Sequence, residues 1–347
     1  MADGSEQSSS SIVYSIECES IDSGINLINT YITKQISLSH CKAIVISEEY
    51  ASLNISEIIY SLMNKVEISP TCLIIVSRSD AEEFLNQATS SIETASARYY
   101  DASVASSFAT GMLEKTTLSD FFANIKDSFK EPIASLGTVY NNVTKTTDSN
   151  STTRDSNYKA GDFKTSSSTK NSENLGLAVF KNSRLVGELN GIETVCHLIV
   201  TGKLQNYNLT IPDPFNTEDN IDLYITLRKS PKIKMNFVNG SPYFNINVDI
   251  SSKILSMNNE SGYLTSENIN LLEETCNYYL EQQLYSYLYK TSKEFETDID
   301  GFGKYAVSNF LTLNDWYTYD WLDNYKNSFF QVNVDSTISS GYLLMEM

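Results

Sequence analysis

The sequence predicts an α+β protein with more than one domain. Its 347 residues exceed what a single hydrophobic core usually organises, and 41% of them are apolar, which is enough for packed domains. Short apolar runs alternate with amphipathic helical patterns in the first third of the chain. Strands with alternating apolar residues dominate the last third, which indicates a sheet with one buried and one wet face. Together the two patterns predict sheets with helices packed on them.

The first predicted elements alternate between helices and buried strands. In chain order they are a helix over 20–36, a strand over 41–47, a helix over 54–68, a strand over 71–77 and a helix over 78–88. The continuous apolar run of each strand is typical of a strand buried on both faces. Because a helical crossover joins them, the two strands should be parallel. Ser79 or Asp80 should cap the last of these helices.

The middle of the chain changes character at residue 144. Residues 99–136 are mostly helical in pattern, with apolar side chains at helical spacing over 118–129. Residues 144–173 contain almost no apolar side chains, so this stretch cannot bury enough surface to offset the entropy of ordering it. We expect a flexible loop there, without a function of its own.

A β-hairpin and a helix follow this loop. Strands over 177–181 and 184–189 flank a turn at Asn182 and Ser183, and the helix is predicted over 191–202.

Strands then dominate as far as residue 254. They are predicted over 221–230, 231–239 and 243–254, and the turn at 239–242 should join the last two as an antiparallel hairpin. The longest helix is predicted over 266–295, with Ser266 as its N-cap. A closing strand over 328–338 should join the C-terminal sheet.

Charge and cysteine content argue against several classes of function. The formal net charge of −18 argues against a nucleic-acid partner and against electrostatic attachment to an anionic membrane surface, because both need clustered basic residues. The five cysteines are far apart and form no Cys-x-x-Cys pair, so neither a disulfide scaffold nor a zinc knuckle is indicated. No window resembles a membrane span, and residues 1–10 look like a vector-derived, disordered lead-in.

The stretch ETDIDGFGKYA, residues 296–306, resembles two kinds of binding site, one for calcium and one for the phosphates of a dinucleotide. The sequence supports neither. A calcium loop beginning at Asp298 would need an oxygen ligand where Phe302 stands. A dinucleotide-binding Gly-x-Gly-x-x-Ala motif would have to follow a strand and open a helix, but a long helix precedes it. We therefore predict a helix exit in which Gly301 and Gly303 let the chain reverse toward the closing strand.

Neither histidine indicates a metal or catalytic site. His40 and His197 each adjoin a cysteine, but neighbours in a strand point to opposite faces, and neighbours in a helix lie about 100° apart. We expect each histidine to be half-buried with its hydrogen bonds satisfied. No hydrolase, zinc-protease or phosphate-loop motif occurs, so no catalytic residue, metal ligand or cofactor is predicted. The many acidic residues leave open a glycosidase that uses a pair of carboxylates, although the sequence singles out no such pair.

Five stretches, in order along the chain, resemble the C-subunit lipoproteins of spore nutrient-germinant receptors, the Ger(x)C family. They are LSHCKAIVISEEYA (38–51), SRSDAEEFLNQ (77–87), LGLAVFKNSRLVGELNGIET (175–194), YKTSKEFETDIDGFGKY (289–305) and WLDNYKNSFFQVNVDSTISSGYLL (321–344). The resemblance implies three α+β domains, each a mixed or antiparallel sheet flanked by helices. After the lead-in over 1–10, domain I would take 11–110, domain II 111–205 and domain III 206–347.

The resemblance also implies a function without catalysis. A member of this family would be a lipid-anchored subunit on the outer surface of the spore inner membrane. It would work there in assembly and signalling with an integral-membrane A subunit and a transporter-like B subunit. It brings no catalytic residues and no cofactor.

Eight positions match the family motifs and are predicted to have a structural or interaction role. They are His40, Lys42, Phe180, Gly187, Asp298, Gly301, Gly303 and Trp321. The chain departs from the family pattern at Cys41, where an apolar residue is usual, and at Ser47, where Gly is usual. No lipobox surrounds Cys18, so we expect a soluble fragment from which the lipid anchor has been removed.

Two other functions stay open. An extracytoplasmic module that captures the small-molecule germinant would need a concave pocket with convergent polar groups. A hydrolase acting on the spore wall would need a pair of acids in a cleft.

Overall fold

The computed structural model describes residues 12–32, 35–87, 100, 109–139, 157–162, 172–216, 219–257 and 265–339. The chain separates into two compact units. Unit 1 contains Met1–Ser106, Lys115–Lys126 and Pro132–Glu188, and unit 2 contains Ser107–Glu114, Asp127–Glu131 and Leu189–Met347. Helices and sheets in both units confirm the predicted α+β class. The division into three domains stays a prediction, and the predicted lead-in over 1–10 lies outside the described residues.

Unit 1 is built on a five-stranded sheet. Its strands, in spatial order, are β1 (Ala43–Ser47), β2 (Leu73–Ser77), β3 (Ile133–Val139), β4 (Ser172–Lys181) and β5 (Arg184–Leu189). The parallel pairing predicted for the first two strands is confirmed, with Ala43 opposite Leu73. β3 continues the parallel part, and β4 pairs with it in the antiparallel sense. β2 is fully buried as predicted, whereas β1 is an edge strand and mostly half-buried, because it has a neighbour on one side only.

Helices cover both faces of this sheet. They are α1 (Ile21–Tyr31), α2 (Glu48–Ala51), α3 (Ser56–Met63), α4 (Ala81–Gln87) and α5 (Leu118–Lys126). Successive residues of β2 point to opposite faces. Ile74 accordingly packs in one core with Phe121 of α5, and Ile75 packs in the other with Phe84 of α4. Asp80 rather than Ser79 caps α4, since it accepts the first free backbone N–H groups of that helix.

The helical prediction over 99–136 is wrong at its C-terminal end. Helix α5 ends at Lys126, and residues 133–139 form the fully buried strand β3. Strands buried on both faces lack the two-residue alternation, and small residues obscure this one further. A Cβ added at Gly137 would lie 2.9 Å from the Phe84 ring, so the close approach of α4 requires glycine there.

Most of the predicted flexible loop over 144–173 lies outside the described residues. The described turn at 157–162 contacts the core of unit 1, where Ala160 is buried. Arg78 donates a hydrogen bond to the carbonyl of Ala160 and pairs with Asp162 at 3.1 Å. β4 begins five residues earlier than the predicted strand at 177, and its hairpin turns at Asn182 and Ser183 as predicted, with φ values of 50° and 61°.

Unit 2 contains a mixed sheet built around one long strand. Its strands are β6 (Tyr207–Pro212), β7 (Asn220–Leu227), β8 (Lys232–Val238), β9 (Ser241–Met257) and β10 (Phe329–Ser339). β10 pairs with β9 in parallel, and β7 and β8 pair with β9 in the antiparallel sense. The predicted hairpin between β8 and β9 turns at Asn239 and Gly240, both with positive φ. The closing strand joins this sheet as predicted, whereas β6 has no counterpart in the prediction.

The helices of unit 2 are α6 (Gly191–Val200), α7 (Ser266–Tyr289), α8 (Gly303–Ala306), α9 (Leu313–Tyr319) and α10 (Trp321–Asn324). The predicted N-cap of α7 is wrong by one residue. Thr265, not Ser266, accepts the backbone N–H of Asn268 and has the extended conformation of a cap. The helix continues through a π-helical turn over Lys290–Glu294, for which Phe295 is the C-cap, and Glu296 follows with a φ of 50°. None of the helices in the described ranges is long and apolar enough to cross a membrane.

Helix α7 lies along the outer edge of β10 and takes the place of a neighbouring strand. Side chains four residues apart on the helix accept the backbone N–H groups of alternate residues on the strand. The pairs are Glu273 with Ile338 (2.7 Å), Asn277 with Ser336 (2.8 Å), Glu281 with Val334 (2.9 Å) and Tyr285 with Val332 (3.0 Å). An open strand edge can pair with other chains. These four contacts close this one.

We expect Glu281→Leu to lower the free energy of unfolding by about 1–3 kcal/mol, because the N–H of Val334 loses its acceptor. Urea unfolding followed by circular dichroism measures the change. Glu274→Leu is the matched control, since Glu274 is exposed on the same helix. Equal effects of the two substitutions would contradict a role for the Glu281 contact.

Candidate functional site

Four of the eight predicted motif positions come together in unit 2. Asp298 and Gly301 lie in the loop between α7 and α8, and Gly303 is the first residue of α8. Trp321, the first residue of α10, contacts Asp298 through its indole nitrogen. The structure thus connects two motifs that are separate in the sequence.

The other four positions lie in unit 1. His40 and Lys42 are exposed just before β1, Phe180 is buried in β4 against the Phe121 ring, and Gly187 is half-buried in β5. The assignment of the eight positions as structural or interaction residues stays a prediction.

The carboxylate of Asp298 organises the loop that follows it. Its Oδ1 atom accepts the backbone N–H groups of residues 300, 301 and 302 at 2.8–3.1 Å. Its Oδ2 atom accepts the N–H of Gly303 and the indole N–H of Trp321, both at 2.9 Å. Asp298 is fully buried. Both oxygens are therefore engaged by N–H donors of the protein, which makes the side chain the template on which the loop folds.

The two glycines of the loop serve different purposes. Gly301 has φ = +80°, and the nearest atoms to an added Cβ lie 3.5 Å away, so backbone conformation is what requires glycine there. Gly303 lies in α8 with φ in the ordinary range. A Cβ on Gly303 would lie 2.7 Å from the backbone of Phe129 and 2.8 Å from the Trp321 ring. The prediction that both glycines permit the chain reversal is therefore correct for Gly301 and wrong for Gly303, which permits close packing.

Aromatic rings surround the loop. The Phe302 ring lies 4.7 Å from Phe244, 5.6 Å from Phe330 and 6.0 Å from Tyr325, centroid to centroid. Trp321 lies 6.0 Å from Phe244 and so links the Asp298 loop to the sheet. This apolar shell excludes water, and burial raises the pKa of Asp298 to about 7. The nearby Asp300 acts in the same direction, and the donors from Trp321, Gly303 and Phe302 oppose it.

A buried ionic cluster adjoins the loop. His197 on α6 is fully buried, and its Nδ1 atom lies 2.8 Å from Asp300 Oδ1. Its Nε2 atom lies 2.9 Å from Glu114 Oε2, an ion-pair contact rather than a well-aligned hydrogen bond. The Tyr287 hydroxyl donates to Asp300 at 2.7 Å, and Lys203 pairs with the other oxygen of Glu114.

The charges of this cluster support one another. Burial alone would lower the pKa of His197, but Glu114 and Asp300 outweigh it and raise that pKa to about 8. Burial alone would raise the pKa of Glu114, but His197 and Lys203 lower it to about 2. His197 is therefore a cation at neutral pH, held between two carboxylates, and Asp300 Oδ2 is a buried oxygen of the cluster that has no hydrogen-bond partner among the described residues.

The expectation of two half-buried histidines is wrong in both cases. His40 is exposed, and His197 is fully buried with its partners in place. Sequence reasoning also missed Glu114 and Tyr287. One signal was available: α6 is apolar on almost every side, which is typical of a buried helix, and a histidine inside such a helix needs charged or polar partners.

A second polar site lies at the amino ends of β1 and β2. A cleft of about 320 Å³ opens there, and its lining includes His40, Lys42, Lys115, Thr71 and two cysteine side chains. The cleft is locally basic in an acidic protein. Within the described ranges, no group of three or more histidine, cysteine or acidic side chains is placed to hold a metal ion.

Two family models match the chain in succession. The model described as "Spore germination protein N-terminal domain" matches residues 1–139, and the one described as "Spore germination B3/ GerAC like, C-terminal" matches residues 175–341. The chain belongs to the Ger(x)C family. Among solved structures, the "Crystal Structure of the GerBC protein" is similar in fold, with a TM-score of 0.61 and 14% identity. The likeness covers 86% of this chain and 79% of that chain. No curated protein matches significantly.

Substitutions in the Asp298 loop of this Ger(x)C chain should separate the two roles of glycine. We expect Gly303→Ala to destabilise unit 2 by more than about 2 kcal/mol, because the backbone of Phe129 must move. Gly301→Asn should cost less than about 1 kcal/mol, since asparagine tolerates positive φ. Thermal unfolding of both variants measures the difference, and the opposite ranking would show that Gly303 is not needed for packing.

The stability of the Ger(x)C chain should fall as the pH rises from about 4 to above 8, because Asp298 and His197 both have raised pKa values in the folded state. Asp298, whose pKa is raised to about 7, accounts for the loss of stability between about pH 4 and pH 7. His197 has a raised pKa in the folded state, so its stabilisation is complete below about pH 6.5 and is lost as the pH rises through about 8. The effect is on the order of 2 kcal/mol. Glu114 has a lowered pKa, so its stabilisation is complete above about pH 4.5 and is lost as the pH falls toward 2.

Thermal midpoints measured across pH 3–9 check this profile. Glu114→Gln should flatten the parts of the profile that come from His197 and Glu114, because it removes the charge that raises the pKa of His197, and it should keep the part that comes from Asp298. His40→Gln is the matched control, since His40 is exposed, and should keep the wild-type profile. A Glu114→Gln profile that follows the wild type would show that the cluster does not control the pH dependence.

Proposed function

We propose that this chain is the non-enzymatic C subunit of a spore nutrient-germinant receptor and acts in receptor assembly and signalling. The observation that carries the proposal is the succession of two spore-germination family models over 1–139 and 175–341. The likeness to the GerBC fold supports it, because that likeness extends over most of both chains.

We propose that its partners are the integral-membrane A and B subunits of the receptor, without nucleic acid or cofactor. An N-terminal lipid anchor would hold it at the outer surface of the spore inner membrane. The net charge of −18 supports a covalent anchor and protein partners over electrostatic attachment to anionic lipid headgroups.

The chemistry of unit 2 supports a role by contact rather than by catalysis. The buried charges of His197, Glu114, Asp300 and Asp298 are engaged with groups of the protein. A general acid or base must instead present a titratable group to a substrate. The cluster fixes the fold of unit 2 and so provides a rigid surface for a partner.

An apolar face on α9 is the surface that we assign to a membrane-subunit partner. Leu313 and Tyr317 are one helical turn apart, and each is 66% exposed. Leu311, directly before the cap of the helix, is 99% exposed. Exposed large apolar side chains grouped in one segment are typical of protein interfaces.

Crosslinking of the full-length lipoprotein in spore membranes tests the proposal. We expect the A subunit among the crosslinked neighbours. The triple variant Leu311→Ser, Leu313→Ser, Tyr317→Ser should reduce its recovery about tenfold without lowering the thermal midpoint. The control is Leu53→Ser with Val66→Ser, two exposed apolar positions of unit 1 that should leave recovery unchanged. A deletion strain that germinates normally with all nutrients, in a background without paralogous receptors, would overturn the proposed role.

A second candidate function is capture of the small-molecule germinant, which the cleft at His40 and Lys42 favours. Its volume of about 320 Å³ and its mixed basic and hydroxyl lining suit a small polar ligand. A ligand that binds only the folded state raises the thermal midpoint. A screen of amino acids, sugars and nucleosides without any shift would remove this candidate and would leave the assembly role unaffected.

A further inference from the structure

Two cysteines 31 residues apart meet at the floor of the unit 1 cleft. Cys41 precedes β1 and Cys72 precedes β2, and their sulfur atoms lie 3.4 Å apart. The parallel pairing of the strands, which begins with Ala43 opposite Leu73, brings the two preceding segments together. The backbone N–H of Leu73 donates to the carbonyl of Lys42 at 2.9 Å and fixes this alignment.

The two thiols differ in access to solvent. Cys41 is half-buried in the wall of the cleft, whereas Cys72 is only 2% exposed and packs in the core with Ile74 and Phe121. One sulfur can therefore be reached by a small molecule, and the other can be reached only through its neighbour. The remaining cysteines are the exposed Cys18 and the buried Cys196 and Cys276.

The contact between the sulfur atoms also gives the two thiols different pKa values. A hydrogen bond from Cys72 stabilises the Cys41 thiolate and lowers the pKa of Cys41 to about 7. The same hydrogen bond and burial raise the pKa of Cys72 far above its usual value. His40, Lys42 and Lys115 line the same cleft. Cys41 thus has the properties of an attacking thiol, and Cys72 those of a resolving thiol.

We propose that Cys41 and Cys72 form a redox-active dithiol, a modification site that exchanges with low-molecular-weight disulfides entering the cleft. The Cys41 thiolate attacks one sulfur of the small disulfide, which forms a mixed disulfide and releases one small thiolate. The Cys72 thiol then loses its proton and attacks the Cys41 sulfur, which forms the Cys41–Cys72 disulfide and releases the second small thiolate. Both small thiolates take up protons, so two protein thiols are oxidised and one small disulfide is reduced.

The geometry allows this product. A disulfide needs its sulfurs about 2.05 Å apart, and these two must approach from 3.4 Å. Both residues lie just outside the regular strands, where side-chain rotation and a small backbone adjustment do not break the sheet ladder. Cys41 packs partly against the core that contains Cys72 and partly lines the cleft, so it is not a fully enclosed core cysteine.

The experiment uses the whole chain with Cys18→Ser, treated with 2-hydroxyethyl disulfide at pH 7.5. We expect the intact mass to fall by two hydrogens, with one peptide pair joined through Cys41 and Cys72, and dithiothreitol should reverse the change. Cys72→Ser should stop at the mixed disulfide on Cys41, and Cys41→Ser should not react at the cleft. Cys276→Ser is the matched control and should react as the parent does, because Cys276 is buried elsewhere.

A second measurement does not depend on the variants folding. Alkylation of the parent protein by iodoacetamide, followed by peptide mass spectrometry, should show Cys41 reacting fastest, with a rate that rises to half its maximum near pH 7. A mixed disulfide on Cys41 that persists in the parent would overturn the proposal. No reaction at Cys41 under conditions that alkylate the parent in urea would overturn it too.

Discussion

The C-terminal part of unit 2 depends on the carboxylate of Asp298. A buried carboxylate is costly unless donors replace the water that it loses. Here the chain that follows provides four backbone donors and Trp321 provides a fifth. The loop, the start of α8 and the start of α10 are thus attached to one side chain. The Phe302 ring can enter the aromatic core only because this loop holds it there.

Two carboxylates two residues apart are buried in this loop, and the protein stabilises them in different ways. Asp298 is surrounded by dipoles, whereas Asp300 faces the cation of His197 and the hydroxyl of Tyr287. The contact of Asp300 with His197 connects the loop to α6 and, through His197, to Glu114. Segments distant in sequence are thus held together within unit 2. Buried ionic groups contribute little net stability but can specify one arrangement over others. A rigid surface also loses little entropy on binding.

Local patterns predicted most elements of the fold, and long-range contacts account for what they missed. Alternation identified β9 and β10, and the turn residues Asn182 and Asn239 located both hairpins. Strand β3 was not predicted, because a strand buried on both faces shows no alternation of apolar and polar residues. The site was recognised only as two motifs. Their convergence at Asp298 depends on side-chain geometry, which sequence spacing does not encode.

The same limit applies to the charged cluster and the dithiol. Glu114 and His197 are 83 residues apart, and nothing local to Glu114 distinguishes it from the other acidic residues of the chain. Cys41 and Cys72 each look like a small core residue when read alone. The parallel pairing of β1 and β2 was predicted, but the register that brings these two positions together was not.

The contact of α7 with β10 is a match between two repeats of unequal length. Four residues of a helix advance about 6.0 Å, and two residues of a strand advance about 6.7 Å. Each step therefore adds a mismatch of about 0.7 Å in length, and it also turns the next helix side chain about 40° away from the strand, because four residues turn the helix by about 400°. The longest side chain of the series, Tyr285, stands at one end of it. A helix can thus imitate a strand for four contacts and hardly more, so the length of the protected edge is set by the geometry of the two repeats.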